Sequence, residues 1–313
     1  MKTQQWPCRN NLRVWRHLHL FNQRQRCLYS FSTTVSRQYR TLESLSDVNL
    51  DHFRQTYFIP ERPIILPRRH FCTLPAFEKW FYSAPPGLNA AYLRQHGADA
   101  LVPLELTQAP ADTISGTGEP SFRQFHAPLS LFLEWISTAE TLESPTTRLY
   151  LAQCQLHDLP QTLRNDFPTP ELVLQAGKGD IYDTNVWIGY PPTYTPLHRD
   201  PNPNLFVQLA GRKVVRLLPP SDGQKVFSSV RHQIGKSAGR EATVFRGDEM
   251  MQGEERVLLE KAVWDDAADD FAEPSGFEAH LQAGDGIFIP RGWWHSIRGL
   301  GESVTASVNW WFR

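Results

Sequence analysis

His198 and Asp200 stand two residues apart in TPLHRDPNPNLFVQLAGRKVV, and His295 follows far downstream in IPRGWWHSI. Two imidazoles and one carboxylate can hold a ferrous ion from one side and leave coordination positions open for substrates. In an extended strand, residues i and i+2 point the same way. His198 and Asp200 therefore aim at a common point, and Arg199 points away. Pro196 and Pro203 place the pair at a strand end or a sheet edge. His295 follows Pro290 and Gly292, a turn signal, so it must reach the site from a neighbouring strand. Zinc hydrolysis is the competing chemistry, because two His and one carboxylate also occur at catalytic zinc. The other histidines, among them His126, His157, His232 and His280, have no partner at ligand spacing.

The elements that must position this set are mostly strands. RLYLAQCQL, IYDTNVWIG, NLFVQLA, KVVRLL, DGIFIP and SVTASVNWWF are short apolar runs bounded by Gly, Pro, Asn or Asp. No regular helix is expected between them, which argues against parallel βαβ units. The pattern predicts a mainly β fold, an antiparallel jelly roll or double-stranded β-helix. Flanking helices are expected upstream. One runs near Leu45, Val48, Leu50 and Phe53, capped by Ser46 or Asp47. A second covers 75–83 with Phe77, Trp80 and Phe81 inward, and a third starts at Pro128 with Leu129, Phe132, Trp135 and Ile136 on one stripe. RPIIL at 62–66 reads as a strand. Residues 228–280 are charged, with Asp265, Asp266, Asp269 and Asp270, and read as a solvated insertion between two core strands. Their spacing lacks the alternation a calcium loop needs.

A chain of 313 residues with 41% hydrophobic content can bury a sizeable core, and no apolar run approaches membrane-spanning length. The net charge of −1 is unevenly spread. Residues 1–40 carry eight basic side chains and no acid, and the remainder holds 24 basic against 33 acidic residues. An acidic body weighs against broad phosphate-backbone binding. The basic, Ser/Thr-containing first 40 residues have the composition of a mitochondrial targeting segment, so a mitochondrial address is expected over a cytoplasmic or nuclear one. Residues 41–313 form the folded body. With no CxxC pair among the four cysteines, neither a disulfide framework nor a zinc finger is expected, and Cys72 and Cys154 read as small buried thiols.

TPLHRDPNPNLFVQLAGRKVVRLLPP, AGDGIFIPRGWWHSI and SVNWWF together resemble the JmjC (cupin-8-type) family of iron(II)- and 2-oxoglutarate-dependent oxygenases. The hydroxylase branch typified by the asparaginyl hydroxylase of the hypoxia-inducible factor is the most similar. The resemblance covers most of 145–313 and, more loosely, the region from about 45. It implies that His198, Asp200 and His295 hold Fe(II), with 2-oxoglutarate and O2 as cosubstrates. It assigns Lys213 to the distal carboxylate of 2-oxoglutarate, a sensible role because a buried dianion needs a cation. Thr195 and Tyr150 match hydroxyl donors to the same carboxylate, and Asn204 and Asn309 match polar residues near the metal end. Read without the resemblance, Lys213 is a solvent-facing strand residue and Tyr150 a core tyrosine.

The implied activity is a dioxygenase that hydroxylates a protein side chain. A transfer-RNA base hydroxylase and a histone lysine demethylase of the same family are the alternatives within it, and a mitochondrial address would exclude the last. A cupin module that binds metal without turnover is the alternative outside it. Neither the protein substrate nor the oligomeric state is legible in the sequence.

Overall fold

The short apolar runs become fifteen strands among the described residues of a computed structural model. These residues are 39–84, 86–108, 121–139, 147–238, 250–265 and 276–313, all within one compact unit. The basic segment up to residue 38 and Asp266, Asp269 and Asp270 lie outside them. The strands are β1 (Tyr39–Thr41), β2 (Ile64–Leu66), β3 (Phe81–Ser83), β4 (Pro86–Leu88), β5 (Leu101–Gln108), β6 (Ser121–Pro128), β7 (Thr147–Gln155), β8 (Ile181–Gly189), β9 (Thr193–Arg199), β10 (Asn204–Ala210), β11 (Arg212–Leu218), β12 (Gly276–Gln282), β13 (Gly286–Ile289), β14 (Trp294–Leu300) and β15 (Thr305–Phe312). The helices are α1 (Leu50–Phe53), α2 (Ala76–Lys79), α3 (Ala90–Gly97), α4 (Leu129–Ala139), α5 (Gln161–Arg164), α6 (Glu171–Gln175), α7 (Pro220–Gln233) and α8 (Gly253–Trp264).

Two sheets form the jelly-roll core. One has the order β1-β12-β11-β14-β9, and the other β2-β13-β10-β15-β8-β7-β5-β6. All but the β1–β12 contact are antiparallel within them. The central strands β10 and β15 are buried along nearly their whole length, because both of their faces are covered. Leu205, Val207, Leu209, Val308, Trp310 and Phe312 point outward into a large apolar cluster shared with the N-terminal helices. There Phe53 meets Phe288 edge-on at 5.1 Å and Phe58 stacks on Phe312 at 5.6 Å. The other faces of these strands, with Val215, Leu217, Leu281 and Ile287, pack between the sheets. Polar residues of those inner faces gather at one end, and that end is the site.

Several local expectations shift. Asn49, not Ser46 or Asp47, caps the first helix: its Oδ1 accepts the His52 amide at 3.0 Å. Leu45 instead donates its amide to the Ile65 carbonyl, beside β2. The helix expected over 75–83 stops at Lys79, and Phe81–Ser83 turns into a hairpin with β4. Trp80 fixes that change, because its Nε1 donates at 2.9 Å to the fully buried Asp166, which also accepts from Lys79 and Tyr92. The helix at Leu129 forms as expected, with Leu129, Phe132, Leu133 and Ile136 buried. Cys154 is buried, which pushes its thiol up to about 12, but Cys72 is exposed.

The span 228–280 is not simply solvated. It holds α8 and the end of α7, and β12 at its far end is a core strand. α7 and α8 cover the outer face of the five-stranded sheet, burying Phe227, Val230, Leu259 and Val263 with Leu197, Leu218 and Trp294. Gly223 lets α7 approach that sheet, since a Cβ there would lie 2.2 Å from the Trp294 ring. Two of the glutamates of α8 are paired. Arg231 meets the buried Glu255 at 2.8 Å, and Arg298 meets Glu260 at 2.8 Å.

Candidate metal centre and cosubstrate pocket

β9 is the edge strand of its sheet, and its neighbour β14 sets His295 directly opposite His198. The two rings lie 4.1 Å apart between centroids. Asp200 follows the end of β9. His198 Nε2 lies 3.9 Å from Asp200 Oδ1, and His295 Nε2 lies 3.6 Å from Asp200 Oδ2. One ligand atom from each of the three falls within 4.8 Å of the others, and this is the only such cluster of three found among the described residues. Separations of this size suit donors that each reach about 2.0–2.2 Å to one ion. His126, His157, His232 and His280 stay outside it.

The surroundings prepare all three as ligands. His198 Nδ1 lies 2.9 Å from the Pro196 carbonyl, and His295 Nδ1 lies 3.2 Å from the Trp293 carbonyl. Each Nδ1–H donates to its carbonyl, so the Nε2 lone pair faces the shared centre. Burial, reinforced by the neighbouring His198, pushes the His295 imidazole down to about 4 despite the Asp200 carboxylate. It is therefore neutral and able to ligate at neutral pH. Asp200 Oδ2 accepts from Asn204 Nδ2 at 2.9 Å and from Trp311 Nε1 at 3.0 Å. Trp311 thus orients the carboxylate. Removing that indole donor with Trp311→Phe is expected to weaken metal binding about tenfold, as read by titration with Fe(II) or Mn(II).

Thr195 lies three residues before His198, and strict alternation would put it on the opposite face. A register shift resolves this. Thr195 pairs with Ile297 and His198 with His295, so β9 spends three residues where β14 spends two. This extra residue is a bulge, which re-aims side chains beside a site. Leu197 then points outward to the cluster under α7 and α8. Thr195, His198 and Asp200 all line the inner cavity, together with Tyr150, Asn204, Lys213, His295 and Asn309. The structure thus brings every candidate site residue into one chamber. Arg199 points away, its guanidinium 5.5 Å from the Trp294 ring.

Lys213 is 3% exposed, on the inner face of β11. Its Nζ donates to Ser307 Oγ at 2.7 Å, lies 3.4 Å from the Tyr150 hydroxyl and sits 5.2 Å over the Phe206 ring. No carboxylate lies within ion-pair distance of it among the described residues. Burial pushes its ammonium down to about 7. Burial also pushes the Tyr150 hydroxyl up, so it stays protonated and can donate. Two further polar atoms of residues lining the chamber lack partners: Asn204 Oδ1 and Asn309 Nδ2. Buried polar groups left open in this way call for a polar occupant. A compact oxo-acid dianion fits that demand, and the His, Asp, His donor set fits a ferrous ion.

Ser307 and Trp187 were not anticipated. Ser307, Asn309 and Trp311 share one face of β15, so the i, i+2 rule applied to Asn309 could have found Ser307. Trp187 Nε1 donates to Asn309 Oδ1 at 2.7 Å, and nothing in the sequence signals that. Outside the chamber, a cleft of about 650 Å3 opens over His198 and Asp200. Glu105, Gln124, Asp183, Tyr182 and Trp311 are among its walls.

Comparison with known proteins agrees with this geometry. The chain is 27% identical over 278 residues to lysine-specific demethylase JMJ30 of Arabidopsis thaliana, covering 87% of this chain and 55% of that protein. It is 27% identical over 269 residues to lysine-specific demethylase 8 of Xenopus tropicalis, with 84% and 51% covered. Against Jumonji C domain-containing protein 5 of Drosophila melanogaster the identity is 24% over 274 residues, covering 86% and 59%. The chain thus spans little more than half the length of these relatives. Their names support the JmjC oxygenase resemblance but not the branch of the hypoxia-inducible factor asparaginyl hydroxylase. The family model described as a cupin-like domain matches residues 50–313. Since that match takes in every candidate site residue and nearly all of both sheets, the chain belongs to the cupin-like domain family, and its relatives there are JmjC-domain proteins.

Proposed function

We propose that this chain is an Fe(II)- and 2-oxoglutarate-dependent oxygenase acting on a cationic side chain of a protein. The observation that carries the reading is Lys213. A buried ammonium with no carboxylate partner among the described residues is costly, and it lines the chamber whose other wall holds the triad. An anion that also reaches the metal accounts for both features.

His198, Asp200 and His295 would hold the metal. Lys213, Tyr150 and Thr195 would hold the far carboxylate of the cosubstrate, with Asn204 and Asn309 nearer the metal. The chemistry supplied by a bound ferrous ion is dioxygen activation coupled to decarboxylation of the oxo-acid to succinate and carbon dioxide, which oxidises a substrate C–H bond. This chain's residues orient the two cosubstrates and exclude water. Phe206, Ile297 and Trp187 wall the chamber against solvent. The cleft outside it carries Glu105 and Asp183 against Arg199, an acidic balance that favours a positively charged target. Relatives named as lysine demethylases agree with a basic side chain. Hydroxylation and demethylation share their first step, because an N-methyl group oxidised at carbon releases formaldehyde.

The test incubates the purified chain with Fe(II), 2-oxoglutarate and peptide arrays carrying lysine, N-methyl-lysine or arginine. Succinate formation that requires oxygen is expected. A one-oxygen mass gain on a peptide assigns hydroxylation, and formaldehyde with loss of a methyl group assigns demethylation. Peptide turnover indifferent to oxygen would overturn the reading in favour of a zinc hydrolase.

A further inference from the structure

The two side chains that floor the chamber each face a glycine across a strand ladder. Tyr150 of β7 pairs with Gly189 of β8, and Lys213 of β11 pairs with Gly299 of β14. Directly opposed residues project to the same face of a sheet, so each glycine leaves room on that face, and at Gly299 Thr193 and Thr305 fill it. At Gly189 that space is already taken. A Cβ built there would lie 2.3 Å from Cδ2 and 2.9 Å from Cε2 of the Tyr150 ring, and 3.1 Å from Thr193 Cγ2. Gly189 also pairs with Thr305 on its other side, so it sits between two ladders and has little room to retreat.

The Tyr150 ring has little freedom either. Trp187 lies beside it at 6.1 Å between centroids, and its hydroxyl lies 3.4 Å from Lys213 Nζ. Past Tyr150, β7 is irregular: its register against β8 shifts between Leu151 and Cys154, and Gln153 has φ 51°. That bulge sets which way Tyr150 faces relative to the rest of its strand. The ordinary reading of a strand glycine is a weak spot in the sheet. Here the Cδ2–Cε2 edge of a candidate ligand-binding ring packs against the bare backbone, which gives the glycine a specific use.

We infer that Gly189 is a positioning residue for cosubstrate binding: by lacking a side chain it lets the Tyr150 ring lie across β8 and present its hydroxyl beside the Lys213 ammonium. This rests on the 2-oxoglutarate reading above. Gly189 itself touches no ligand and acts through Tyr150.

The experiment is a double-substitution cycle with Gly189→Ala and Tyr150→Ser, using 2-oxoglutarate as the probe and Mn(II) in place of iron. Binding is followed by tryptophan fluorescence, and Tm is recorded for each variant. Gly189→Ala should weaken 2-oxoglutarate binding about tenfold, as expected when a packed ring is forced out of its rotamer. Mn(II) affinity should not change. In the Tyr150→Ser background, where the ring is gone, Gly189→Ala should add no further loss. Unchanged binding in the single variant, or an equal added loss in both backgrounds, overturns the inference. If the unaltered chain does not bind 2-oxoglutarate, the cosubstrate reading fails by itself. The cycle is then read on Tm: Gly189→Ala must lower it with Tyr150 present and leave it unchanged in the Tyr150→Ser background, and equal losses would sink the pairing.

Discussion

In the His198→Ala variant, iron-stimulated succinate formation is expected to fall to the level of a metal-free control. Three protein ligands are the smallest set that fixes one ion and still leaves sites for two cosubstrates. Removing His198 leaves an edge-strand gap beside Asp200, and water would fill it. The remaining imidazole and carboxylate would then bind metal weakly and without a fixed orientation. Because His198 is partly exposed at the mouth, its loss opens no large core cavity, and Tm should move little. Mn(II) titration should show the loss of affinity directly, apart from turnover. A variant that keeps full turnover would remove His198 from the centre, and the triad assignment with it.

The second large effect is on Lys213. Lys213→Met is expected to weaken 2-oxoglutarate binding strongly while making the protein more stable. A charge-assisted hydrogen bond lost from the bound state costs roughly 1.5–3 kcal/mol, or about 10- to 150-fold in Kd. The stability gain comes from the unliganded state, where burial alone acts on this ammonium. Replacing an unpaired buried cation by an apolar side chain of similar size removes its desolvation penalty, less about 1 kcal/mol for the Ser307 hydroxyl left behind. Thermal unfolding and 2-oxoglutarate titration on the same sample check both halves. A variant that is less stable and binds normally would show that Lys213 serves the fold and not a ligand.

The same lysine gives a pH dependence with a definite sign. Its folded-state value is near 7, against an ordinary 10.5. Above pH 7 the free pocket loses its proton, so affinity for a dianion should weaken as pH rises, and Lys213→Met should flatten that slope. Stability moves the other way. Between 7 and 10.5 the unfolded chain holds the proton that the folded chain has lost, so this group's penalty is full below pH 7 and shrinks as pH rises through that window.

Much of the chemistry is readable along the chain alone. The two-residue spacing of His198 and Asp200, the turn before His295 and the short apolar runs follow from local rules: side-chain alternation, proline and glycine punctuation, and burial of apolar strands. Those rules were enough for the mainly β class, for the strands from 148 onward except β12, and for the helix at Leu129. They misplaced the first helix cap and overran the second helix, because Asn49 and the buried Asp166 compete locally in ways that periodicity does not register. They also misjudged the charged span before β12, because Glu255 and Glu260 look solvated until the arginines that pair with them are placed.

What the sequence determined by itself was the inventory: which residues could ligate, which could anchor an anion, and roughly where strands begin and end. Tertiary structure decided their convergence. An added residue in β9 turned Thr195 to the same side as His198, a ladder put His295 opposite His198, and Gly189 cleared space for the Tyr150 ring. Those outcomes depend on register between strands distant in the chain, and register is set by the packing of both sheet faces at once. No window along the sequence contains that information.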